Sequence, residues 1–125
     1  MKSLLESIIG KRGGGFDYIK SHLSQEQYEM ITKSIEDVMN CNDPLVISNA
    51  GGKSKWKSIF GDQKKWDEML TVCIKEGIDF SNADVWEFFD TLLDMIADHY
   101  DEFVDIFKNS KWDEFASGLK KISGQ

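Results

Sequence analysis

ADVWEFFDTLLDMIADHYDEFVDIFK, residues 83–108, decides the fold class. Val85, Phe88, Phe89, Leu92, Ile96, Tyr100, Phe103 and Phe107 recur at helical spacing, and at about 100° per residue that spacing gathers them on one side of an α-helix. A half-buried strand would alternate at every second residue, and this stretch does not. The pattern predicts one long amphipathic helix over about residues 82–108, opened by Ser81 or Asn82 and forming the centre of the core.

The opposite side carries Glu87, Asp90, Asp94, Asp98, Asp101 and Asp105, with Asp84 and Glu102 at its margins. No Lys or Arg occurs between residues 76 and 107. Ordinary solvated helices intersperse both signs and gain i,i+4 support, whereas neighbours within this stripe repel. Two readings fit: a solvating face, or a surface that meets a basic partner and mimics the phosphate repeat of a nucleic acid.

Outward from this segment, apolar residues again recur at three and four, and only one proline occurs. Leu4, Leu5, Ile8 and Ile9 make a short amphipathic helix, which the glycines at 10 and 13–15 should end in a flexible joint over 10–15. Ser24 with Gln27 reads as a capping box for a helix with Tyr28, Ile31, Ile35, Val38 and Met39 inward. Asp43-Pro44 suits a helix start, although Leu45-Val46-Ile47 fits a strand equally well. Asp62 caps a helix with Trp66, Met69, Leu70 and Cys73 inward and Gly77 at its end, and Ser110 with Asp113 repeats the capping pattern before Trp112, Phe115, Ala116, Leu119 and Ile122. The expected fold is an all-α single domain over 1–125, a bundle of five to seven helices around the long one, with a basic connector at 48–55. Lys65-Trp66-Asp67-Glu68-Met69 and Lys111-Trp112-Asp113-Glu114-Phe115 share wording, which any capped amphipathic helix with a buried Trp also selects.

With 125 residues the chain has the size of one domain. Its 41% apolar, 12% aromatic and 30% charged residues are too rich in core formers for a disordered chain and too broken by charge for a membrane span. Glu6 interrupts Met1–Ile9 before a signal-peptide core, so a cytoplasmic location is expected. Cys41 and Cys73 have neither CxxC spacing nor a companion His for zinc, and no disulfide between them is expected. The net charge of −7 is uneven: residues 1–75 hold eleven Lys/Arg against ten Asp/Glu, residues 76–125 four against twelve. Such a half repels nucleic acid and anionic lipid and steers basic partners toward it.

Pro44–Phe60, PLVISNAGGKSKWKSIF, contains Gly-Gly-Lys-Ser, but a phosphate loop needs glycine where this chain has Ile47. The same region concentrates Lys53, Lys55, Lys57, Lys64 and Lys65 around Trp56, the composition of a patch that tracks a backbone and stacks bases. Trp56 also falls on an apolar stripe. No Ser/His/Asp or Cys/His set, EF-hand spacing or metal-ligand pattern occurs, and His22 and His99 complete no ligand set. No cofactor is expected. The function expected by elimination is non-enzymatic: a small acidic protein-binding module of the inhibitor, immunity or assembly-chaperone kind, engaging a basic partner through Glu87 to Asp105. Binding of nucleic acid or a phosphate ligand through Lys53–Lys65 is the alternative, and self-association fits either.

Overall fold

The computed structural model describes residues 11–124. Nine α-helices follow one another among these residues, with no strand: α1 (Lys11–His22), α2 (Gln25–Met39), α3 (Pro44–Asn49), α4 (Lys53–Phe60), α5 (Gln63–Lys75), α6 (Ala83–Asp90), α7 (Leu92–Asp98), α8 (Tyr100–Lys108) and α9 (Trp112–Ile122). None of them is long and apolar enough to cross a membrane. The amphipathic segment Leu4–Ile9 and Gly10 lie outside the described residues.

Local chemistry sets most of the boundaries. Ser24 Oγ accepts the Gln27 N–H at 3.1 Å while Gln27 Oε1 accepts the Ser24 N–H at 2.8 Å, the reciprocal capping box. Asp62 Oδ1 accepts from Lys64 N at 3.0 Å and starts α5. Asp43 Oδ1 accepts from Leu45 N at 3.0 Å, with proline fixed at the first helical position, so Leu45-Val46-Ile47 is helix rather than strand. Gly77 takes φ 82° beyond α5, and Ile78 N donates to Cys73 O at 3.1 Å, a Schellman ending that favours glycine.

The predicted long helix is three helices. Thr91 (φ −108°, ψ 26°) and His99 (φ −125°, ψ 43°) leave helical geometry. Thr91 Oγ1 donates to Glu87 O at 2.9 Å, the carbonyl that also accepts Thr91 N–H at 3.0 Å, and such back-bonding bends helices. His99 turns its ring to Glu102, 3.1 Å away. Each interruption follows an aspartate, a weak helix former, in a segment whose like charges repel. These two breaks account for nine helices where five to seven were expected.

Two other boundaries differ from expectation. Gly13-Gly14-Gly15 lie within α1, not in a joint; α1 packs along α5 and buries Ile19, and turns added to an anchored helix each gain a hydrogen bond. Ser110 does not cap α9. It sits at φ 50° past the end of α8, where Lys111 N donates to Ile106 O at 2.9 Å, so Ser110 ends one helix instead of opening the next.

The core is one continuous apolar cluster. α5 packs against α1 and α9, α2 against α6 and α7, and α8 against α4 and α9. Phe107 is a hub, with ring centroids 4.6 Å from Trp66, 5.1 Å from Trp112 and 5.2 Å from Phe60. The buried indoles are satisfied: Trp56 Nε1 donates to Val38 O at 2.7 Å and Trp66 Nε1 to Phe60 O at 2.8 Å. Both cysteines are free and buried.

Candidate functional site

The breaks leave the phase of the acidic segment intact. Val85, Phe88, Phe89, Leu92, Ile96, Phe103 and Phe107 are buried, while Asp84, Glu87, Asp90, Asp94, Asp98, Asp101, Glu102 and Asp105 are all exposed. What changes is each carboxylate's position relative to a helix end. Asp84, Asp94, Asp101 and Glu102 now fall in first turns, where free N–H groups favour anions. Asp90 and Asp98 are the last residues of α6 and α7, where free carbonyls disfavour them.

Asp105 is held at the far end of the stripe. Lys111 Nζ lies 2.8 Å from its Oδ2 and Asn109 Nδ2 donates to its Oδ1 at 2.7 Å. The hydrogen bond from Lys111, reinforced by that from Asn109, lowers the carboxyl pKa, and Asp105 raises that of Lys111 in return. Among the described residues Glu87, Asp90, Asp94, Asp98 and Asp101 have no cationic partner.

At the Thr91 break the stripe meets α2. A cleft of about 520 Å³ opens there, lined by Glu36, Asp37, Asn40, Cys41, Asn42 and Asp43 on one side and Asp90, Thr91, Leu92, Leu93 and Asp94 on the other, with Ser34 at its edge. Cys41 and Leu92 are buried and Leu93 is half-buried, so apolar side chains line the cleft together with five carboxylates. Lys33 pairs with Asp37 at 3.3 Å, and Asp43 caps α3. Among the described residues no three His, Cys, Asp or Glu side chains come together in a way that could hold a metal ion. Its five carboxylates give the cleft a potential that attracts cations.

No family model, curated protein or solved structure matches the chain.

Glu36, Asp37 and Asp43 line the cleft, and sequence periodicity did not reach them. The first two lie on the exposed face of α2 and the third in a cap, and only the packing of α2 against α6 and α7 brings them beside Asp90 and Asp94. The one signal in the sequence is the density of acids at 36, 37 and 43 around a helix end.

The alternative basic patch loses its aromatic member but keeps most of its lysines at the surface. Trp56 is fully buried, so its ring is closed to stacking. Its face is covered by Phe60, 4.7 Å between centroids, and Tyr100, 6.3 Å. Lys65 is half-buried and donates to Phe107 O at 2.8 Å, closing the end of α8. Lys53 donates to Asn42 Oδ1 at 2.5 Å, on the rim of the acidic cleft. Lys53, Lys55, Lys57 and Lys64 are exposed.

Proposed function

We propose that the chain is a non-enzymatic protein-binding module that engages a basic partner surface through Glu87, Asp90, Asp94, Asp98, Asp101 and Asp105. It is of the kind used as inhibitors, immunity factors or assembly chaperones. The observation that carries this reading is the placement of Asp90 and Asp98. Helix-end electrostatics explain Asp94 and Asp101, and an ion pair explains Asp105. Asp90 and Asp98 are exposed, unpaired among the described residues and at the anion-disfavouring ends of their helices. Residues that work against the stability of their own helix are those expected where a surface is shaped for binding.

The exposure of these carboxylates argues against acid–base chemistry, which needs burial or a close like charge to split two pKa values. A face with one sign of charge instead raises encounter rates with a basic partner and rejects acidic ones. Free, buried Cys41 and Cys73 suit a reducing compartment such as the cytoplasm.

Reversal of the unexplained carboxylates tests the reading. The triple variant Glu87→Lys, Asp90→Lys, Asp98→Lys should keep the helical circular dichroism of the parent, since all three sites are exposed. The tagged variant should retain less than about a tenth of the basic protein that the parent captures from its host, a loss near 1.4 kcal/mol or more. Equal capture by parent and variant removes the proposal.

A further inference from the structure

The chain has four tryptophans, and the fold uses three of them. Trp56, Trp66 and Trp112 are buried, and each indole N–H has an acceptor: Val38 O at 2.7 Å, Phe60 O at 2.8 Å and Glu68 Oε1 at 3.4 Å. Trp86, in α6, differs on both counts. Its side chain is only half-buried and stands outside the core cluster and the side chains packed on it. Among the described residues its indole makes no hydrogen bond and no ring contact. Asp90 follows four residues later, so the two share one flank of α6, a turn apart. Asp90 is exposed, has no cationic partner among the described residues and ends its helix where an anion is disfavoured. Ala83, a turn before Trp86, is exposed and too small to cover the ring. Two side chains that the fold itself does not explain are therefore neighbours.

We infer that Trp86 and Asp90 together receive an arginine side chain of the basic partner, its guanidinium lying on the indole face and donating to the Asp90 carboxylate. The inference rests on the acidic-face reading above and adds the residue type that the partner presents there. A carboxylate alone accepts from lysine or arginine. An aromatic face beside it selects the planar, weakly hydrated guanidinium, which stacks on the ring and still offers N–H donors in its own plane. The compact, strongly hydrated ammonium of lysine gains less from the ring. A purely apolar side chain on Trp86 strips water from Asp90 without pairing it. Tryptophan and arginine are also among the residue types in which the binding energy of protein interfaces concentrates.

Fluorescence anisotropy with the full chain and two labelled peptides tests it. The peptides share one sequence and one net charge, with arginine in the first wherever the second has lysine. At about 0.15 M salt, weak long-range attraction is screened. There the parent should bind the arginine peptide about fivefold more tightly than the lysine peptide. Trp86→Leu keeps apolar bulk at a half-buried site but removes the aromatic face, and should cut the ratio below about twofold. Trp86→Tyr restores a face and should recover most of the preference. Asp90→Asn should weaken the arginine peptide more than the lysine peptide. The inference is overturned if the parent binds neither peptide or both equally, if the preference survives Trp86→Leu, or if Asp90→Asn weakens neither. The acidic-face reading is judged apart from this, by host-protein capture with the Glu87→Lys, Asp90→Lys, Asp98→Lys variant, in which Trp86 is unchanged.

Discussion

Ser110 holds φ at 50°, a conformation that costs a residue with a Cβ roughly 1–2 kcal/mol. Its Ser-x-x-Asp spacing reads as a helix start, and that reading fails because the end of α8 claims the residue first. Lys111 N closes on Ile106 O, while Lys65 Nζ takes the Phe107 carbonyl. A capping pattern does not say which of two abutting helices it serves; Ser24, Asp43 and Asp62 were legible because each caps the helix that directly follows it. Ser110→Gly should raise stability by about 0.5–1 kcal/mol, the relief of strain less glycine's extra unfolded-state entropy. The urea midpoint should rise; a fall contradicts the geometry. Asp105 supplies a pH test. Its pKa is lowered by hydrogen bonds from Lys111 and Asn109, so its contribution is present above the ordinary aspartate range and is lost as pH falls through the lowered value. Asp105→Asn should flatten the acid limb of a stability–pH curve relative to the parent, and an unchanged limb contradicts the pairing.

At the scale of the element, the burial phase of residues 83–108 was legible and the continuity of the helix was not. Every buried residue from Val85 to Phe107 lies on the stripe that the spacing selects. Periodicity averages over a window, and single residues such as Thr91 and His99 leave the average unchanged while ending a helix. Those endings give identical side chains opposite electrostatic roles. Asp98→Asn, at the last residue of α7, should stabilise the fold by about 0.3–1 kcal/mol in low salt and by less in high salt. Asp94→Asn, in the first turn of the same helix, should be neutral or mildly destabilising. Thermal melts at two salt concentrations separate the pair; a loss of stability on neutralising Asp98 contradicts the assignment.

For the whole molecule, the sequence showed which faces turn inward but not which helices meet. The pentads at 65–69 and 111–115 illustrate the limit. They fall at the starts of α5 and α9, which pack together, yet Trp66 is the fourth residue of its helix and Trp112 is the first residue of its own. The acids open only the second of these helices, and what the two share is a buried indole, whereas a duplicated unit would keep its register. The cleft was invisible for the same reason: its walls are some fifty residues apart in the chain and joined only by tertiary packing. Of the basic patch, the fold takes Lys65 for a helix end and Trp56 for the core and leaves Lys53, Lys55, Lys57 and Lys64 exposed.

On the proposed reading, Asp90 and Asp98 are kept for binding at the expense of helix stability. The dissociation constant of the captured complex, for the parent and Asp98→Lys across a salt series, tests this trade. The parent complex should weaken steeply with salt, and the variant should bind at least tenfold more weakly at low salt, with a shallower slope, while being the more stable protein. Equal affinities and equal slopes in the two proteins would contradict it.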